Sequence, residues 1–436
     1  MYAATMLRLT KEALLRLTEV CLLPFSQQGR SRILPNLLLR MWPLLFPVAW
    51  LYRRTVLRGT TIAVVIGSLG KTSTSHAVAA ALDLSTSWLE GWNNRGYLAL
   101  ALLRIPRSQR FAVIEVGAKH PGLMQRYRRL LDPDIVVITS IASEHHRQLG
   151  SIEGIREEKA GMVRDLPESA MIIANGDDPN VLWMASQSNA QLVTYGFQKS
   201  NRVRGDAYRT AGWTTSHMDV HLGEHRLTLQ SQLVGKHLMY ALLAALAVGT
   251  ETGEAPPTIA SRLAELPPMA HRLAPMPLRS GDLCLMDDYK SIYETVFAAL
   301  DTLELLPANH RVIVMGEVYE PPDSDEIAYT TIGERIATIA DQLVFIGRRE
   351  HFDFIREGAM RKGLVDERIH FATSSVHLAS DQVNRGLTGD SVVLIKGFGR
   401  QRLQRIPLLL DGRDVRCTRS SCKMLMTRSC VDCPLL

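Results

Sequence analysis

A chain of 436 residues, 46 % hydrophobic and 22 % charged, has an ordinary globular composition and the length for two or three domains. The net charge of +6 sits at the start, where residues 1–60 carry nine arginines and lysines against Glu12 and Glu19, so the rest of the chain is near neutral. That excludes a basic body built to hold nucleic acid, and with no small-residue cleavage site after a short apolar core no secretory leader is expected.

Residues 1–58 read as a helical, basic and apolar segment. Leu7, Leu14, Leu15 and Leu22 can share one helix face. Residues 37–51 follow as an apolar run broken by Arg40, Pro43 and Pro47, too short uncharged to supply the roughly 20 residues of a membrane span. Two readings stay open: a Trp-bearing basic surface lying on an anionic membrane face, or a helical hairpin packed on the core or on a protein partner.

The stretch from Thr61 to Leu82 organises the chain. Thr61–Ile66 is β-branched and apolar, a buried strand; Gly67-Ser68-Leu69-Gly70 is a turn; Ser75–Leu82 reads as a helix. Strand, glycine turn and helix make a phosphate cradle, because glycine lets backbone N–H groups approach an anion and the helix N-terminus favours negative charge. Lys71 would reach the β/γ-phosphates, and the Thr72 or Ser73 hydroxyl would meet Mg²⁺. The generic P-loop pattern wants a glycine where Val65 stands.

From about residue 59 to 262, short apolar runs alternate with helical patterns. Phe111–Gly117, Asp134–Thr139 and Ala170–Ala174 are strands, which argues a parallel α/β sheet with its ligands at the carboxyl ends. Glu115 and residues 140–146 sit at such ends beside the Gly67 turn. Prolines at 256–257 and 267–268 flank a short helix and mark a boundary. Beyond it Leu283–Asp287, Val312–Gly316, Gln342–Gly347 and Ser391–Lys396 alternate with helices as a Rossmann-like terminal domain. The expected layout is 1–58 helical segment, 59–262 ATP-binding domain, 268–415 terminal domain and 416–436 cysteine-rich tail.

The order of these segments resembles the Mur ligases, ATP-dependent enzymes that join an amino acid or peptide to a carboxylate, and most of all the branch that adds D-alanyl-D-alanine to the cell-wall precursor. The motifs are Gly67-Ser-Leu-Gly-Lys-Thr-Ser73, Asn93-Asn94-Arg95-Gly96, Glu115-Val-Gly-Ala-Lys-His120, Ile141-Ala-Ser-Glu-His145 with Gly150-Ser151, Asn175-Gly-Asp-Asp-Pro179, and a Tyr195–Phe197 turn. The similarity runs from about residue 60 to 410. It implies an α/β fold with a P-loop-type central Mur ligase domain on a parallel sheet, a Rossmann-like C-terminal domain, and a helical segment in front.

The implied chemistry is an acyl phosphate made from a carboxylate and ATP, then attacked by an amine. Two anions must be brought together, which Mg²⁺ and fixed cations permit. Lys71, His145, Lys159 and Arg272 are the implied catalytic residues. Gly67, Ser68, Gly70, Lys71, Thr72, Ser73, Asn94, His237, Asp287, Tyr289 and Lys396 are the implied nucleotide site. Thr72, Glu115, His145 and Lys159, the last as a carbamate, are the implied Mg²⁺ ligands. The family's paired asparagines near His237 are replaced by Leu238 and Ala241, and its Asn/His-then-Pro segment after Tyr289 by Lys290–Tyr293. Residues 1–60 cannot form the family's UDP-binding domain, so the identity of the carboxylate stays open. A non-peptidoglycan ligase of natural-product or polymer assembly, or a degenerate nucleotide-binding subunit of a membrane complex, are the alternatives. Separately from the resemblance, Cys417, Cys422, Cys430 and Cys433 could close a tetrahedral Zn²⁺ site. The partners expected are a small-molecule carboxylate and amine, no nucleic acid, and a membrane or protein contact through residues 1–58; the location expected is cytoplasmic, with a peripheral place on the inner membrane face.

Overall fold

The computed structural model describes residues 40–85, 95–118, 120–144, 149–422, 429–431, 433 and 436. Asn94, His145 and the apolar helix face expected across residues 7–22 lie outside them.

The described chain opens with helix α1 (Trp42–Thr55), which takes Pro43 in its first turn, where the missing N–H costs nothing, and Pro47 on an exposed side. Arg53 locks this helix down: its buried guanidinium donates to the carbonyls of Leu57, Leu131 and Asp132 and to Asp134 Oδ2 at 2.9 Å. Asp134 Oδ2 in turn accepts the Ile62 N–H at 2.8 Å, so the helix and the first strand share one carboxylate.

That strand, β1 (Thr61–Ile66), leads into α2 (Lys71–Ala81), followed by α3 (Arg95–Arg104), β2 (Phe111–Glu115), α4 (Leu123–Leu131), β3 (Ile135–Ile138), α5 (Ile152–Ala160), β4 (Met171–Asn175), α6 (Pro179–Ala185) and β5 (Gln191–Gly196). The next three strands are β6 (Val203–Ala211), β7 (Thr215–Leu222) and β8 (His225–Ser231), and α7 (Lys236–Glu251) and α8 (Pro256–Ala264) close the region. The sheet order is β2-β1-β3-β4-β5-β6-β7-β8, parallel up to β6 and antiparallel beyond it. Strands β1, β3 and β4 are apolar but for Thr61 and Asn175 at their ends because helices cover both faces, as parallel sheets require. The antiparallel part was not named from sequence: β7 alternates half-buried and buried residues, so its polar half masks it.

A second sheet begins after residue 273. Its elements are β9 (Ala274–Pro277), β10 (Leu283–Asp287), α9 (Tyr293–Leu305), β11 (His310–Met315), α10 (Asp325–Ala337), β12 (Gln342–Phe345), α11 (Arg349–Arg361), β13 (Ile369–Phe371), α12 (Val376–Asn384), β14 (Ser391–Lys396) and α13 (Arg405–Leu410). The order β13-β12-β11-β14-β10-β9 is parallel except for the β9 edge. One continuous apolar cluster joins α2, α7 and the first sheet to α9 and the second sheet, so the two halves share packing as well as polar contacts.

Candidate active site

Register builds the site. Ile66 lies opposite Ile138 and Val65 opposite Glu115, so the turn after β1, the loop after β3 and the end of β2 leave the sheet along the same edge. Gly67 has φ +141°, and a Cβ there would sit 2.0 Å from Thr139 Oγ1; Gly70 has φ +78° and caps α2. Both conformations are ones side-chain-bearing residues avoid. The Thr139 hydroxyl donates to the Leu69 carbonyl at 2.6 Å, and Ser68 N–H donates to Ser140 O at 2.6 Å, so the loop after β3 holds the glycine turn. Helix α2 starts at Lys71, four residues before the expected start, because Gly70 itself caps it.

Two lysines and two carboxylates meet over this turn. Lys71 Nζ is 8 % exposed and donates to Gly67 O (3.0 Å) and Ser68 O (2.6 Å) while pairing with Glu144 Oε2 at 3.3 Å. Lys159, in the last turn of α5, is 1 % exposed and donates to the same Gly67 carbonyl at 3.0 Å. Burial first, and the Lys71 charge second, push the Lys159 amine down to about 7 from its ordinary 10.5. Thr72 Oγ1 donates to Glu115 Oε2 at 2.9 Å, a hydroxyl and a carboxylate of the kind Mg²⁺ prefers. Ser73 and Ser68 are buried, and the Ser68 hydroxyl donates to Ala142 O.

The second sheet supplies the opposite wall. Arg272 reaches Thr72 Oγ1 at 3.2 Å, and its guanidinium lies 4.6 Å from the centre of the Tyr289 ring. His271 and Leu273 on either side have φ +65° and +49°, an unfavourable backbone for non-glycine residues that aims Arg272 across the cleft. His271 Nδ1 meets Asp288 Oδ1 at 2.6 Å. Lys290 Nζ pairs with Glu144 Oε1, and Glu294 accepts from the Ser143 N–H and hydroxyl, both at 2.9 Å. Lys396, opposite Asp287 in the sheet, is fully buried and donates to Asp287 Oδ2 (2.7 Å), Lys290 O (2.8 Å) and Thr295 Oγ1 (3.1 Å). It therefore supports the Lys290 loop from below. His237 is exposed at the start of α7.

Of the residues expected from sequence, Gly67, Ser68, Gly70, Lys71, Thr72, Glu115, Lys159 and Arg272 converge here, and Tyr289 joins through Arg272. Asp287 and Lys396 stand one layer behind. Glu144, Ser143, Lys290 and Glu294 were not named as site residues. The first two follow β3 at the carboxyl edge, and the last two follow Asp287-Asp-Tyr289, so position alone could have flagged them. Asn175-Gly-Asp-Asp-Pro179 proves structural: Asp177 accepts from Phe197 N, Gln198 N, Asn201 Nδ2 and Tyr240 OH, while Asp178 caps α6 and accepts the Ile141 N–H at 2.8 Å. The zinc expectation is not shown. Cys417, Cys422, Cys430 and Cys433 are free thiols, and among the described residues no group of three or more His, Cys, Asp or Glu is arranged to hold a metal. Burial pushes the Cys430 thiol up to about 11, and Cys417 Sγ accepts from Arg405 at 3.4 Å.

A phosphate turn with a buried lysine, an oxygen pair for Mg²⁺ and cations brought from a second α/β unit define a nucleotide-dependent ligase whose site is completed between two domains. Comparison with known proteins agrees. Residues 65–249 match the Mur ligase middle domain. The UDP-N-acetylmuramoyl-tripeptide–D-alanyl-D-alanine ligase of Bacillus subtilis is 28 % identical over 354 residues, 80 % of this chain and 75 % of that protein. Its Escherichia coli counterpart is 28 % identical over 335 residues, 73 % and 71 % of the two chains. Among solved structures, the MurF ligase of Thermotoga maritima in complex with ADP superposes with TM-score 0.74 at 18 % identity, covering 85 % of this chain and 83 % of that one. MurF from Acinetobacter baumannii gives 0.74 at 18 %, covering 85 % and 81 %. The chain carries a Mur ligase middle domain and is similar over most of its length to these ligases: it is a Mur-ligase-type, ATP- and Mg²⁺-dependent, ADP-forming ligase that makes an amide bond.

Proposed function

We propose that this ligase joins the amine of an amino acid or small peptide to a small-molecule carboxylate through an acyl phosphate, with D-alanyl-D-alanine the amine suggested by the names of its relatives. The observation that carries the reading is the meeting of Lys71, Lys159, Glu115–Thr72 and Arg272 at one sheet edge. In this reading residues 59–262 bind ATP and 268–415 close over it. Lys71 faces the transferring phosphoryl group; Thr72 and Glu115 hold Mg²⁺, which neutralises the phosphate charge. Lys159, whose amine burial pushes down to about 7, is suited to take up CO₂ as a carbamate, which turns a cation into an oxygen donor; His145 would join it. Arg272 brings a fixed cation across the cleft to Thr72, and closure keeps water from the acyl phosphate.

The test is ADP and phosphate release by the purified chain with Mg²⁺-ATP and bicarbonate, across carboxylates and amines that include UDP-linked muramyl peptides and D-alanyl-D-alanine. Release that requires both an acid and an amine supports the reading. Release that ignores either partner refutes it.

We further infer that α1 docks on an anionic membrane surface, in keeping with a cytoplasmic, ATP-supplied enzyme. Met41, Leu44, Val48 and Leu51 face outward, Leu44 at 71 % exposure, beside a groove of about 520 Å³ lined by Trp42, Phe46, Trp50, Arg54, Arg126 and Arg129. Apolar residues ringed by arginines complement acidic headgroups. No described helix is long and apolar enough to cross a membrane. Sedimentation with phosphatidylglycerol vesicles but not phosphatidylcholine vesicles, lost in Leu44→Glu/Leu51→Glu, is the expected result; equal sedimentation with both would overturn it.

A further inference from the structure

Glu144 lies between two ammonium groups that come from different halves of the molecule. Its Oε2 is 3.3 Å from Lys71 Nζ, on the phosphate turn, and its Oε1 pairs with Lys290 Nζ, on the loop after β10. Glu144 is 7 % exposed, so this charge is desolvated and must be matched where it stands. One residue away, Ser143 binds Glu294 through both its N–H and its hydroxyl, and Lys396 fixes the carbonyl of Lys290 from the buried side. The seam is therefore closed at the point where a γ-phosphate would meet Lys71. A carboxylate held by two lysines is an anion in the position of an anion.

We propose that Glu144 is a resident counter-anion of the nucleotide site: it holds Lys71 and Lys290 together until the γ-phosphate of ATP displaces it, and Lys290 then acts as a catalytic cation carried in by the closing domain. The inference rests on the ligase reading above. The charge logic is direct. Among the described residues, the four cations Lys71, Lys159, Lys290 and Arg272 gather around the paired carboxylates Glu144 and Glu115, a surplus of positive charge suited to a polyphosphate. During transfer the bond between the bridging oxygen and the γ-phosphorus breaks, ADP leaves with that electron pair, and an oxygen of the substrate carboxylate bonds to phosphorus. Lys290 gives up no proton; its charge balances the three equatorial oxygens. Amine attack then forms C–N, expels phosphate and releases the amine proton.

Three variants and four readouts test this in the full chain. Lys290→Gln should leave the Kd for Mg²⁺-ADP within about threefold while kcat for ADP formation falls about 100-fold, with Lys290→Arg restoring part of it. Affinity for ADP with aluminium fluoride, a planar phosphoryl mimic, should fall in Lys290→Gln by a comparable factor, an effect a merely structural residue would not produce. Glu144→Gln should bind Mg²⁺-ATP about tenfold more tightly, because no internal anion has to be expelled first. An unchanged kcat and unchanged aluminium fluoride affinity in Lys290→Gln would overturn the catalytic role. Unchanged or weaker ATP binding in Glu144→Gln would overturn the counter-anion. Wild-type protein that neither binds nor turns over ATP would instead defeat the ligase reading itself, so the two failures are distinguishable.

Discussion

Lys71 and Lys159 share the carbonyl of Gly67 yet sit in different electrostatic states. Lys71 has Glu144 at 3.3 Å, whereas Lys159 is buried further and repelled by Lys71. Lys71→Ala should remove the cation that meets the phosphoryl group and lower ADP formation by about 10²–10³-fold or more, with an unchanged circular dichroism spectrum; retained turnover would remove this nucleotide site from consideration. Lys159 makes a pH prediction. Folded, its amine titrates near 7; unfolded, near 10.5. Between these values the unfolded chain holds the extra proton, so stability rises with pH across that window and is poorest below 7. Lys159→Met removes the penalty. In bicarbonate-free buffer its melting temperature should exceed that of wild type by several degrees at about pH 6, and the gap should close as pH climbs toward the unfolded lysine value of about 10.4. A gap that does not vary with pH would contradict the burial argument. The same variant should lose ligase activity at every pH, because methionine cannot become an oxygen donor.

At the scale of elements, the site depends on loops whose backbones are pinned by side chains far away in sequence. Asp178 is the clearest case: one oxygen caps α6 through Asn180 N at 2.9 Å and the other takes Ile141 N at 2.8 Å. Ile141 opens the loop that carries Ser143 and Glu144, so an N-cap doubles as a brace for the active site. Asp178→Ala should cost about 2–3 kcal/mol, a lost cap plus an orphaned loop N–H, and should also lower kcat. Denaturant unfolding and turnover measured side by side check both parts; a stability loss with normal kcat would leave only the cap. The sequence conveyed these elements unevenly. Apolar parallel strands such as Ile135–Ile138 and Ser391–Lys396 announced themselves because every residue in them is buried. The β6–β8 region did not, because alternate residues face solvent and no long apolar run forms. The phosphate turn was readable from Gly67, Gly70 and Lys71 alone. Glu144 was readable only as a position at the carboxyl edge after β3; its pairing with Lys290 was not, because only the fold brings those residues together.

For the whole molecule, the question is what holds the two α/β units against each other. Among the described residues, three polar bridges cross the seam at the site, Arg272 to Thr72, Lys290 to Glu144, and Glu294 to Ser143, while Thr210 and Trp213 bridge it farther off to the carbonyls of Leu305 and Pro307. The third differs from the others, because Glu294 meets no cation there. It accepts two hydrogen bonds from one residue, and it sits in the first turn of α9, where the helix dipole favours a negative charge. Hydrogen bonds to a charged acceptor contribute about 1.5–3 kcal/mol each when buried, and this site is partly open, so about 2 kcal/mol for the pair is a fair expectation. Glu294→Ala should therefore shift the closed-to-open balance by roughly 30-fold, taking about 1.4 kcal/mol per factor of ten. Because the residue lies away from the phosphate, the loss should fall on closure: kcat/KM for the acceptor drops by about that factor while the Kd for Mg²⁺-ADP stays put. Global unfolding should change little, since the apolar cluster joining α7 to α9 is untouched. Small-angle scattering of the free protein should give a larger radius of gyration for Glu294→Ala, and saturating substrate should bring the two proteins back together. An equal radius for both, with kcat/KM still reduced, would mean that Glu294 orders the Ser143–Glu144 loop within one domain and does not hold the two domains closed.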